Sequence, residues 1–179
     1  CSGPGSFRTK AVGFADWGAS ISVDFVAKNG SSKGTYDASK YRGISFWATA
    51  SAPLKGVKVS FPDVYTDASA DPRTIDPSLS PCVFQSGSRL NCSPYLVKFG
   101  DSDFPAYKDH QIDTTSKRFH ILFADTQQDF FNPGFHTADN RLDSKHLTSM
   151  TIQIGALYVN DKPVSNDFEI WIDDVAFIK

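Results

Sequence analysis

Two adjacent carboxylates, Asp173 and Asp174, sit inside the closing segment FEIWIDDVAFIK, residues 168–179. Asp is depleted in strands and is rarely buried without a partner, yet this segment alternates as a strand does. Phe168, Ile170 and Ile172 share one parity, while Val175 and Phe177 fall on the other. A slip of one residue turns every side chain to the opposite face. One extra residue at the Asp pair, a β-bulge, is therefore expected to restore the register. A bulge also aims neighbouring carboxylates at one point, and converging Asp oxygens are the chemistry that Ca2+ prefers. The competing reading is a strand end with both carboxylates solvated.

A second chemistry is the recognition of sugars. Pyranose rings offer apolar C–H faces that stack on Trp and Tyr, while flanking polar side chains bond their hydroxyls. Trp47 lies on the polar side of GISFWAT, residues 43–49. Arg118 and His120 share the polar side of RFHILF, residues 118–123, and Gln153 that of MTIQIGA, residues 150–156. These four are expected to face outward from one exposed sheet. Trp171 also alternates outward, on that sheet or the other. The loop DTQQDFFNPGF, residues 125–135, adds Gln127 and Gln128 with two Phe, as a binding rim or as a tucked-in loop. For Trp47, burial under a loop competes with ligand contact.

Other motifs lack the context that their chemistry needs. GSSKG at 30–34 has the spacing of a nucleophile elbow but lies in a polar loop instead of between a strand and a helix. The His residues, at 110, 120, 136 and 146, show no metal-ligand spacing. Carboxylates are plentiful enough for a glycosidase pair, but nothing singles one out. The sequons NGS at 29–31 and NCS at 91–93 matter only on a eukaryotic secretory route.

Composition narrows the classes. A chain of 179 residues with 40% apolar content suits one domain. Its 18 basic and 20 acidic residues leave a net charge of −2 with no basic stripe, which argues against a nucleic-acid partner. No apolar run approaches the ~20 residues of a membrane-spanning helix. Cys82 and Cys92 flank the turn-rich CVFQSGSRLNC. A disulfide between them is expected in a secreted domain, and two unrelated thiols are the alternative. Cys1, in CSGPGS, reads as a lipid-anchored start, an expression scar or an interior piece of a longer chain.

The elements that must position these groups are strands. SISVDFV (20–26), GISFWAT, GVKVSFP (56–62), RFHILF and MTIQIGA each alternate one apolar face with a mostly polar one. Half-buried antiparallel strands carry that pattern. KNGSSKG, SAPLKG, NPGF and NDKPVSND supply turns between them. The best helical stretch, DSKHLTSM at 143–150, is worth one or two turns. The Pro-, Ser- and Asp-rich stretch 63–117 is expected to be a large excursion. An all-β antiparallel sandwich follows, with a tail or truncated start over 1–10 and a single domain over 11–179.

YDASKYRGISFWATA (36–50), KRFHILFADTQQDFF (117–131), MTIQI (150–154) and FEIWIDDVAF (168–177) resemble, in this order, the galactose-binding-domain-like jelly rolls. Among these the chain is most similar to the family 11 carbohydrate-binding modules and their secreted bacterial relatives. GFADWGASISVDF (13–25) and the Cys-flanked loop share the likeness, which spans roughly 11–179. The same fold also serves in an assembly-factor domain of respiratory complex I, so the fold alone does not fix a function. The resemblance implies a two-sheet jelly roll with a concave glycan-binding face and a structural calcium. It assigns a calcium ligand to Asp173, with Asp174 second. In such domains an acidic first strand brings further ligands. The chain is expected to begin after it, which leaves the calcium site incomplete, vacant or completed by other residues.

The reading that results is a non-catalytic, secreted or surface module binding a β-glucan-like polysaccharide, as part of a larger protein. A structural or adhesive domain of a surface assembly is the rival from another class, and a glycoside hydrolase is the third.

Overall fold

The computed structural model describes residues 6–14, 18–26, 32–67, 69–70, 83–85, 88–90, 92–128, 141–160, 162–164 and 166–179. Its strands, in chain order, are β1 Phe7–Ala11, β2 Ala19–Asp24, β3 Gly43–Ala50, β4 Val57–Phe61, β5 Val83–Gln85, β6 Ser88–Leu90 and β7 Tyr95–Lys98. They continue with β8 Lys117–Leu122, β9 Gln127–Gln128, β10 Ser149–Ile154, β11 Leu157–Val159, β12 Lys162–Val164 and β13 Phe168–Ile178. One sheet runs β1-β13-β3-β8, here the terminal sheet. The other runs β2-β10-β4-β7-β9, here the groove sheet. β5-β6 and β11-β12 form two-stranded pairs. All ladders are antiparallel, and the whole is an all-β sandwich of jelly-roll type.

The core lies between the sheets and follows the alternation in the sequence. Ile44, Phe46 and Ala48 of β3, Phe119 and Ile121 of β8, and Ile170 and Ile172 of β13 are buried from one side. Val57, Val59 and Phe61 of β4 and Met150, Ile152 and Ile154 of β10 meet them from the other. Each large side chain so buried contributes roughly 1.5–3 kcal/mol. Gly18 opens β2 with φ +87°, and a Cβ there would sit 2.0 Å from the Ile154 carbonyl oxygen. Only glycine fits both the left-handed backbone and that close approach.

The bulge expected in β13 is present. From Asp173 to Ala176 the strand advances three residues, while β3 advances two, from Trp47 to Ser45. Asp174 takes φ 49°, a left-handed conformation that Asp tolerates better than most residues. Val175 and Phe177 consequently pack against the core beside Ile170 and Ile172.

Three expectations are corrected. Residues 7–10, read as tail, form most of β1 and pair with β13. The stretch 63–117 is not one excursion, because β7 runs between β4 and β9 inside the groove sheet. Tyr95, Leu96 and Val97 are all buried, so β7 lacks the period-2 contrast that marks the other strands. DSKHLTSM, expected to give one or two turns, makes one and then enters β10 at Ser149. There the Asp143 carboxylate takes the Lys145 N–H at 3.0 Å, a local bond that competes with helix formation. Gln127 and Gln128, read as loop residues, form β9 at the sheet edge. Residues 129–135 of that loop lie outside the described residues.

Candidate functional site

Register decides which predicted residues meet. On the outward face of the terminal sheet, Asp173 of β13 lies beside Trp47 of β3, which lies beside Arg118 of β8. His120 is opposite Ser45, and Trp171 is opposite Thr49 and Arg8. Trp47, Arg118, His120 and Trp171 thus share one face. Gln153 does not join them. It lies in β10 of the groove sheet, between Ser20 of β2 and Lys58 of β4. The expected single face is therefore two opposite faces of the sandwich.

The groups on the terminal sheet engage one another. Arg118 donates to Ser45 Oγ at 3.0 Å and pairs with Asp174 at 3.3 Å. The Arg8 guanidinium stands 5.9 Å over the Trp171 ring and is also ion-paired with Glu169. Sugar stacking on that side of Trp171 has to displace a cation.

The Asp pair does not converge on one point. Asp173 Oδ1 accepts the Asp174 N–H at 2.8 Å, and the Asp174 carboxylate turns to Arg118. Ca2+ takes six to eight oxygen ligands. Among the described residues no group of three or more His, Cys, Asp or Glu is arranged to hold a metal ion. These residues do not by themselves make a calcium site.

The outward face of the groove sheet carries a groove of about 470 Å³. Its floor comes from Ser20 of β2, Ser60 of β4, and Ser149, Thr151 and Gln153 of β10. Lys33, Asp67 and Cys92 contribute from loops. The ladder sets hydroxyl beside hydroxyl: Thr151 lies between Ser22 and Ser60, with Ser22 Oγ 3.0 Å from Thr151 Oγ1. Cys92 is disulfide-bonded. Its expected partner, Cys82, lies outside the described residues.

A charged cluster holds one end of the groove. Lys33 Nζ bridges Asp24 and Asp67, each at 3.1 Å. Burial disfavours the Lys33 ammonium, but the two carboxylates outweigh it and hold its pKa above the ordinary value. Burial likewise pushes the Asp67 carboxyl up. The Ser69 N–H, the Thr148 hydroxyl and the Lys33 ammonium overcome this and hold it below the usual range. Asp63 positions this loop from beneath. Its carboxyl accepts from Tyr65 N–H, Thr66 N–H and Thr66 Oγ1, and from Asp143 N–H across the fold. Burial pushes Asp63 up to about 6 against those hydrogen bonds.

Ser149 is fully buried at the edge of this cluster, opposite Asp24 in the ladder. Its Oγ has no hydrogen-bond partner among the described residues. Gln127 and Gln128 do not line the groove. Their amides donate to the Asp103 and Ser93 carbonyls at 3.2 and 3.0 Å, tying loops to the sheet edge.

No protein-family model matches the chain, and no curated protein matches it. Solved structures that match are carbohydrate-binding modules and not catalytic domains. One is a family 11 module from Clostridium thermocellum in complex with a beta-1,3-1,4-mixed-linked tetrasaccharide. It matches with TM-score 0.47 and 14% identity, over 98% of this chain and 85% of that one. Another is the family 11 module of the cellulosomal cellulase Lic26A-Cel5E of Clostridium thermocellum, with TM-score 0.47 and 13% identity over 97% and 86%. Likeness at this distance transfers neither a ligand nor a site.

Sequence reasoning passed over Ser149, Lys33 and Asp67. Ser20, Ser60 and Thr151 did show outward parity. What joins them is the order β2-β10-β4, and alternation within one strand carries no information about its neighbours.

Proposed function

We propose that the protein is a non-catalytic module that binds a neutral polysaccharide in the groove of its β2-β10-β4 face. The observation that supports this most is a groove floored by hydroxyl and amide side chains, one of them a buried hydroxyl left unpaired. Such groups match sugar hydroxyls. The groove's lysine is shared between two carboxylates, so it offers little to an acidic polymer. The resemblance of the strand motifs to family 11 modules puts β-glucan first among ligands to try. A disulfide at Cys92, proposed to pair with Cys82, fits a secreted or surface setting.

The hydrolase reading gains nothing from the described carboxyls. A general acid needs a raised pKa beside its substrate. The raised carboxyl, Asp63, is enclosed by its own donors and does not line the groove, while Asp67 is held low. A second binding reading keeps the opposite face, because Trp47 and Trp171 share it with Arg118 and His120.

Migration in native gels containing mixed-linkage β-glucan, xyloglucan, mannan or xylan tests the proposal. Retardation that is lost in Gln153→Ala and kept in Trp47→Ala is expected. The reverse pattern moves the site to the Trp face. Unretarded migration in every gel removes the glycan reading in favour of an adhesive domain.

A further inference from the structure

We infer that Ser149 is a specificity-determining residue, whose Oγ reads a hydroxyl that the ligand inserts at the floor of the groove. This rests on the groove being the glycan site. Native folds leave few buried hydroxyls without a partner, and each calls for an explanation. Neighbouring groups have theirs. Asp67 accepts from Ser69, Thr148 and Lys33, and Lys33 is held by two carboxylates. Thr148 Oγ1 donates to Asp67 at 2.8 Å. Ser149 lines the same groove, has no exposed surface, and its Oγ has no hydrogen-bond partner among the described residues.

Depth and charge define the class of group that fits. Ring hydroxyls of a pyranose lying along the groove stay near its mouth. A hydroxymethyl arm projects from the ring and is slender enough to reach the floor once the wall side chains shift slightly. A carboxylate at the same place would meet Asp24 and Asp67 around a single shared lysine. The favoured ligand is thus a neutral chain of hexoses, whose units carry that arm, in preference to a chain of pentoses, whose units lack it.

The test compares wild type with Ser149→Ala by thermal melting and by gel retardation in mixed-linkage β-glucan, mannan and xylan. Wild type is expected to bind glucan or mannan more tightly than xylan. Because the hydroxyl has no partner among the described residues, Ser149→Ala should melt at the same temperature or higher. Its binding to the hexose polymers should weaken by roughly fivefold to tenfold, one hydrogen bond's worth, and the preference over xylan should shrink. Ser149→Ala with wild-type binding overturns the inference and leaves the glycan function standing. A lowered melting temperature or failure to fold also overturns it, because the hydroxyl then has a structural partner such as an ordered water. A wild type that binds none of the polymers overturns the function and the inference together.

Discussion

Asp63 shows how a single buried carboxyl ties stability to pH. Its folded pKa of about 6 lies above the ordinary 3.8. Between those values the folded protein keeps a proton that the unfolded chain has released. Stability from this group is therefore fully present below about pH 4 and is lost as pH rises through about 6, on the order of 3 kcal/mol. Asp67 works the other way, since its pKa is depressed: its contribution is present above about pH 4 and is lost on further acidification. Between pH 4 and 7 the wild-type melting temperature should fall relative to that of Asp63→Asn, a comparison that cancels the opposite contribution of His110, whose pKa burial lowers. That variant should also lose about 1–3 kcal/mol, because its amide NH2 meets the Asp143 N–H. An unchanged slope in the variant would assign the pH dependence to another group. None of this was legible in the sequence, where Asp63 begins a polar stretch and its donors come from Tyr65, Thr66 and the distant Asp143.

The bulge in β13 was the most legible feature among the elements, because the parity of Ile172 and Val175 cannot be reconciled without it. Its backbone sets what Asp174 can become. Asp174→Gly should be tolerated to within about 1 kcal/mol, since an exposed ion pair with Arg118 is worth little and glycine accepts φ 49°. Asp174→Val should cost about 1–2 kcal/mol more, as a β-branched residue resists the left-handed region. Urea unfolding of both variants decides this, and equal stabilities would mean the bulge relaxes. Chelator and added calcium test the expected metal at the bulge: an unmoved wild-type melting temperature would leave Asp173 and Asp174 with the bulge alone. A rise with calcium would mean that ligands outside the described residues complete a site at Asp173. Five strands were readable because one face of each is buried and the other is polar. β7 and β9 were not, since one is buried on both faces and the other is two residues long.

At the scale of the whole molecule, the sandwich followed from alternation and turn chemistry, but the distribution of strands between sheets did not. Trp47, Arg118 and Gln153 all point outward, and only the pairing β3-β8 against β2-β10-β4 reveals that they point in opposite directions. That partition moves the proposed site from a face where Arg118 and Arg8 are already engaged to a polar groove whose buried Ser149 hydroxyl has no partner among the described residues. The most direct measurement is the set of NMR shift changes when a mixed-linkage β-glucan oligosaccharide is added to labelled protein. The account predicts changes at Ser20, Ser60, Ser149, Thr151 and Gln153, with the indole signals of Trp47 and Trp171 unmoved. Shifts at the two indoles with the groove silent would contradict it.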